Sequence, residues 1–145
     1  VMGDSGQTFA LGKFISGAGV IYPFLAPVLG WIGTYVTGSD TSANILFSGL
    51  QSSVGQEIGG GTATLTVESM RQLLVGSNAA GGVVGKMISP QSLAIASSAI
   101  GLAGSESAIL RRIIAWSFVL LFLLCLLAGL MSTPVLSWLI SPMLG

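Results

Sequence analysis

Residues 118–124 read FVLLFLL and form the centre of an uncharged run from Ile113 to Met131. This length matches the roughly 20 residues with which an α-helix crosses a hydrocarbon core about 30 Å thick. Arg111 and Arg112 stand directly before the run. The pattern predicts a transmembrane helix over about residues 106–133, and the positive-inside rule predicts that the arginine pair stays in the cytoplasm.

The composition of the whole chain agrees with a membrane environment. Hydrophobic residues make up 52% and charged residues 7% of the sequence, and the mean hydropathy is +0.88. Ordinary soluble domains carry roughly 25% charged residues. Five basic residues balance five acidic ones, so no net charge favours nucleic acid as a partner. The composition therefore predicts an all-α membrane protein in contact with the lipid bilayer.

The types of reactive residue exclude several functional classes. The chain has no histidine and one cysteine, Cys125, so we expect no disulfide scaffold, metal site, cofactor or histidine-based proton relay. The sequence contains neither a nucleophile motif nor a close pair of carboxylates, so it does not favour an enzyme. With 145 residues, the chain has room for about four or five spanning segments. We interpret residues 1–145 as one transmembrane fragment without a signal peptide.

A first interruption is predicted over residues 37–56. The preceding uncharged run from Phe14 to Ser39 contains Pro23 and Pro27, which predict a kinked or broken helix. A polar cluster follows at residues 37–44, and the apolar stretch Ile45 to Leu50 is too short to span.

A second interruption is predicted over residues 78–104. Thr66 can cap a helix that starts at Val67, but the glycine-dense stretch from Gly81 to Ile88 favours irregular backbone unless neighbours support it. Ser89 followed by Pro90 then indicates a new helix as far as about residue 100. Ser105 with Glu106 indicates the start of the last helix.

Paired polar interruptions are typical of transporter binding sites. Irregular backbone at membrane depth persists where it is buried in protein or lines a watery cavity. The helices that follow would point free N–H groups and positive dipole ends at an anion. We expect a small hydroxylated carboxylate to be bound by Ser39, Thr41, Ser42, Asn44, Asn78, Ser89 and Gln91. Asp40 and Lys86 are the residues proposed for proton coupling, since a desolvated carboxylate favours its neutral form.

Each of these residues has a structural alternative. Ser, Thr and Asn side chains often bond backbone carbonyls or neighbouring helices. Asp40 can simply cap a helix start, in which case it need not carry protons. Lys86 can extend along apolar surface to reach an interface.

Two stretches resemble a known family. Residues 37–47, TGSDTSANILF, and residues 85–96, GKMISPQSLAIA, are similar to motifs near the C-terminus of bacterial lactate permeases. The flanking stretches 27–33 and 101–104 agree with this resemblance. It implies a multi-pass carrier of the bacterial inner membrane that moves lactate, often also glycolate, by proton symport. Family members are several times longer, so the resemblance implies that this chain corresponds to the C-terminal part.

The resemblance also implies a fold. The family is grouped with ion transporters built from inverted repeats, each with a re-entrant hairpin and a broken helix, and this chain would form one half. The alternative from another class is a small membrane subunit or assembly protein without transport activity of its own. Continuation of the gene upstream, with about ten more hydrophobic segments, favours the carrier, whereas a start codon at Met2 favours the small subunit.

Overall fold

A computed structural model describes residues 19–59 and 65–139, and this part of the chain is helical without strands. Short 3-10 turns lie at Gly19–Ile21 and Ser137–Leu139. The expectation of an all-α protein is confirmed for these residues. The α-helices are α1 (Tyr22–Thr37), α2 (Asp40–Gly59), α3 (Val67–Lys86), α4 (Pro90–Ala99) and α5 (Glu106–Met131).

Helix α3 packs against α1, α2 and α5. It runs parallel to α1, because Gly81 faces Pro27 and Gly85 faces Trp31. Helix α2 is antiparallel to both, and its side chains Leu50, Val54 and Ile58 belong to a buried apolar cluster. Short α4 contacts α5. The long helices thus form a bundle that places the turn between α1 and α2 beside the turn between α3 and α4.

Close approach of α1 and α3 explains the glycines of the second interruption. A Cβ at Gly81 would collide with the backbone carbonyl of Pro27, and a Cβ at Gly85 would collide with that of Trp31. Helix α3 is continuous through these glycines to Lys86. The expectation of irregular backbone over residues 81–86 is therefore wrong, because packing against α1 stabilises a helix that glycine content alone disfavours.

The first interruption is also shorter than expected. Helix α1 continues through Pro27 without a break, and α2 begins at Asp40. Most of the polar cluster at residues 37–44 is helical, and the apolar stretch from Ile45 to Leu50 lies inside a helix of 20 residues. Residues 14–18, at the start of the predicted kinked segment, lie outside the described part of the chain.

The predicted helix starts are confirmed where side chains cap them. Thr66 Oγ1 accepts from the Ser69 N–H at 3.2 Å, and Ser89 Oγ accepts from the Ser92 N–H at 3.3 Å. Pro90 occupies the first position of α4. The last helix also begins where expected, at Glu106. These starts depend on local chemistry, which is why the sequence identifies them.

Among the described helices, α5 is long and apolar enough to cross a membrane by length and composition. Its outward face carries exposed aromatic and aliphatic side chains, among them Trp116, Phe118 and Phe122. Its other face is anchored to the bundle, since Gly129 packs on the Phe24 ring and Trp31 Nε1 donates to Ser117 Oγ at 2.9 Å.

Candidate functional site

The turn between α1 and α2 is held in place by the C-terminal end of α3 and the N-terminal turn of α4. Gly38 has a φ of 69°, and its N–H donates to the Thr34 carbonyl at 2.8 Å. Lys86 Nζ donates to the Gly38 carbonyl at 3.0 Å. The Gln91 side chain lies so close to Gly38 that an added Cβ would stand 2.9 Å from its Oε1. The N-terminal ends of α2 and α4 are therefore neighbours.

The two predicted serine ligands at these helix starts act as caps in the structure. Ser39 Oγ accepts from the Ser42 N–H at 3.3 Å. Ser89 is fully buried, and its hydroxyl also lies 3.1 Å from the Lys86 carbonyl, to which it donates. Thr41 and Ser42 are exposed on α2. The structure thus brings Ser39, Lys86 and Gln91 to one turn. Ser89 lies buried beside Lys86.

A second polar group lies inside the bundle. Asn78 Nδ2 on α3 donates to Asn44 Oδ1 on α2 at 2.9 Å. Gln51 Nε2 donates to Asn78 Oδ1 at 3.4 Å, and the Tyr22 hydroxyl donates to Gln51 Oε1 at 3.1 Å. This amide chain, Tyr22–Gln51–Asn78–Asn44, joins α1, α2 and α3. Asn44 and Asn78 were both predicted to bind one substrate, whereas Tyr22 and Gln51 were not among the predicted residues.

A signal for Gln51 was present in the sequence. It follows Asn44 by seven residues, two helical turns, so both side chains lie on the same face once α2 is known to be continuous. Tyr22 had no comparable signal, because its contact with Gln51 depends on how α1 packs against α2.

Asp40 faces the interior rather than Lys86. Asp40 Oδ1 and Thr34 Oγ1 are both buried, and neither has a hydrogen-bond partner. Both oxygens lie beside Gly82, where an added Cβ would collide with Asp40 Oδ1 and stand 2.8 Å from Thr34 Oγ1. No ion pair within 4.0 Å joins Asp40 to Lys86, whose Nζ contacts the Gly38 carbonyl instead.

These groups lie within the length of α5. Trp31, which bonds to Ser117 near the midpoint of α5, also packs on Gly85. Gly82 is one helical turn from Gly85, about 5 Å along the axis. Gly38 follows Trp31 by about 10 Å of helix, whereas α5 extends about 16 Å from Ser117 toward Glu106. The buried oxygens therefore lie beside the uncharged run of α5, and the chain turn lies near the level of Arg111, at the arginine end of that run.

A separate groove is unsuited to a carboxylate. It lies between α1, α3 and α5, has a volume of about 310 Å³, and is lined mainly by apolar side chains such as Leu73, Leu124 and Leu127. An anion in this groove would lose much of its hydration, and its lining offers the donors of Gln72 and Ser77 but no positive charge. The polar groups around Gly38 remain the candidate site.

Comparison with known proteins agrees with the two quoted motifs. A sequence model of the family described as L-lactate permease matches residues 1–135. The chain belongs to the L-lactate permease family. Within this family it is 44% identical to the L-lactate permease of Bacillus subtilis over 140 residues, which are 97% of this chain and 23% of that relative.

Two further relatives come from Escherichia coli K12. The L-lactate permease of that organism is 41% identical over 136 residues, which are 94% of this chain and 23% of the relative. Its glycolate permease GlcA is 44% identical over 115 residues, which are 79% of this chain and 19% of the relative. The chain thus spans about a quarter or less of the length of these relatives. No solved structure matches the chain.

Proposed function

We propose that this chain works as part of a full-length secondary transporter of the bacterial inner membrane that moves lactate or a related 2-hydroxy-monocarboxylate. Family membership supports the substrate class, because relatives at 41–44% identity are named L-lactate and glycolate permeases. The observation that carries the proposal is the meeting of two helix N-termini at Gly38, within the length of α5.

Two adjacent helix starts suit a carboxylate. The first N–H groups of a helix lack intrahelical partners, and the helix dipole places a partial positive charge there. Lys86 adds a full positive charge 3.0 Å from the Gly38 carbonyl, and Gln91 adds an amide. We propose that the substrate carboxylate binds here and that polar side chains nearby recognise the adjacent hydroxyl. The proposed substrate-binding residues are Ser39, Thr41, Ser42, Asn44, Asn78, Ser89 and Gln91.

We further propose that transport is coupled to protons through Asp40, assisted by Lys86. The unpartnered Asp40 Oδ1 supports this role, because no hydrogen bond within the described residues occupies the atom. Lys86 lies one turn along α3 beyond Gly82, and its ammonium group donates to the Gly38 carbonyl. Proton and substrate would then bind at neighbouring positions.

The proposed fold places this unit in one half of an inverted-repeat carrier. In this proposal the turn between α1 and α2 corresponds to one of the two helix breaks, and the turn before α4 corresponds to the other. Helix α4 has 10 residues, too few to cross a bilayer, which supports a re-entrant element. Segments from the rest of the carrier would complete the substrate site.

Substrate recognition can be tested with the full-length carrier in membrane vesicles. We expect saturable uptake of labelled lactate that unlabelled glycolate inhibits and a protonophore reduces. Replacing Gln91 by Ala removes one amide contact and should raise the half-saturating lactate concentration by about tenfold, the cost of a hydrogen bond to a charged group. Gln56→Ala is the matched control, since Gln56 is exposed near the other end of α2.

Equal half-saturating concentrations for the Gln91 and Gln56 variants would argue against a carboxylate at the Gly38 turn. Absence of lactate uptake by an abundant full-length carrier would reject the proposed function itself.

Orientation gives an independent prediction. If Arg111 and Arg112 stay in the cytoplasm, the start of α5 lies inside the cell. A cysteine placed at exposed Ser107 should resist an impermeant thiol reagent in intact cells and react after the cells are opened. Labelling in intact cells would reverse the proposed orientation.

A further inference from the structure

Thr34 has an unusual environment for a helical threonine. Its relative exposure is 0%, and its hydroxyl has no hydrogen-bond partner. A threonine inside a helix ordinarily bonds the carbonyl of the preceding turn, which would satisfy the hydroxyl locally. Thr37, three residues further along α1, does so by donating to the Gly33 carbonyl at 2.8 Å. The Thr34 hydroxyl is therefore available for another partner.

The nearest polar group of suitable chemistry is Asp40. Asp40 Oδ1 and Thr34 Oγ1 approach the same point beside Gly82 from two different helices. A side chain at Gly82 would occupy this point, so glycine is what allows both oxygens to approach α3. Two buried oxygens without partners at one location indicate a hydrogen bond that forms in some functional state, since such groups are costly when left unpaired.

A hydroxyl is suited to a carboxyl group that changes protonation. The hydroxyl can donate a hydrogen bond to an ionised carboxylate, or it can accept a hydrogen bond from a neutral carboxylic acid. Thr34 can therefore partner Asp40 in both states after a rotation of its own O–H. A carbonyl oxygen could serve the protonated state alone, because it has no proton to donate to a carboxylate.

We infer that Thr34 is a positioning residue that holds Asp40 in place while its carboxyl group gains and loses the coupled proton. When Asp40 takes up the coupled proton from water on one side of the membrane, the protonated carboxyl group donates to Thr34 Oγ1. When that proton returns to water, the Thr34 hydroxyl reorients and donates to the carboxylate. The inference rests on the proposed role of Asp40 as the proton carrier.

The other ionisable groups near Thr34 and Asp40 bind elsewhere or lie too far away to hold the Asp40 carboxyl group. On α3 the nearby charge is Lys86, which contacts the Gly38 carbonyl. On α1 Tyr35 is exposed, and its ring stacks on Trp31 at 6.3 Å between centroids. Helix α4 contributes no titratable residue. Glu57 lies near the far end of α2.

The test compares Thr34→Val, Thr34→Ser and Asp40→Asn in the full-length carrier. Valine keeps the shape of threonine without the hydroxyl, and serine keeps the hydroxyl. Two quantities are measured in vesicles: proton-driven accumulation of labelled lactate, and exchange of internal for external lactate without a gradient. We expect Thr34→Val to reduce accumulation by about tenfold, the effect of an unpaired buried group, while exchange and membrane abundance stay within about twofold. Thr34→Ser should restore accumulation.

The outcomes separate this inference from the proposal beneath it. If Asp40→Asn loses accumulation and Thr34→Val keeps it, the role of Thr34 is overturned and that of Asp40 stands. If Asp40→Asn accumulates lactate normally, both roles fail. If Thr34→Val loses exchange and accumulation together, or Thr34→Ser fails to restore accumulation, Thr34 has a structural role and the inference is wrong.

Discussion

An Asp40→Asn carrier is expected to keep exchanging external for internal lactate while it loses proton-driven accumulation almost completely. Exchange requires the substrate site but no net proton movement, whereas accumulation requires a group that loads and releases a proton. Asp40 is the carboxylate closest to the Gly38 turn, and its Oδ1 is shielded from solvent. Asparagine has nearly the same shape and cannot carry the proton.

The competing explanation of Asp40 gives the opposite result. Asp40 is the first residue of α2 and lies next to the capping Ser39, so its charge also suits the positive end of the helix. If it serves only the helix start, asparagine should be nearly silent, because asparagine is also favoured there. Full accumulation by the Asn variant would eliminate Asp40 as the proton carrier.

A matched control is available on the same helix. Glu57 is an exposed carboxylate near the C-terminal end of α2. The Glu57→Gln variant removes the same charge without touching the buried oxygens, and it should accumulate lactate like the unmodified carrier. Both variants are compared by initial exchange rate and by the steady-state ratio of internal to external lactate at a fixed proton gradient.

A large effect on stability is expected from Gly81→Ala. A Cβ at this position collides with the Pro27 backbone, which cannot rotate away as a flexible side chain would. Helices α1 and α3 must move apart, and such overpacking typically costs about 1–3 kcal/mol. We expect a lower thermal unfolding midpoint of the purified full-length carrier and a lower abundance in the membrane.

Gly76→Ala controls for the intrinsic effect of alanine. Gly76 lies on the same helix with nothing within 4 Å of an added Cβ. Alanine is favoured over glycine inside a helix by about 1 kcal/mol, so this variant should unfold at the same or a higher temperature. A Gly81→Ala carrier as stable as the Gly76→Ala carrier would show that α1 and α3 do not approach each other as closely as described.

Some features of this chain follow from the sequence alone, because their causes are local. The uncharged run from Ile113 to Met131 predicts α5 by its length. The caps Thr66 and Ser89 predict two helix starts, since a hydroxyl three residues before a backbone N–H is a short-range contact. The motif at residues 37–47 indicates the L-lactate permease family, to which the chain belongs.

Other features depend on contacts between residues distant in sequence. Helix α3 stays regular through Gly81 and Gly85 because α1 packs directly on those glycines, and composition does not specify such a neighbour. Tyr22 and Gln51 join the buried amides because α1, α2 and α3 meet there. Thr34 was one polar residue in an apolar run until the bundle placed its hydroxyl beside Asp40. Helix packing determined these positions, because burial removes the water that would otherwise satisfy each polar group and leaves the choice of partner to the tertiary structure.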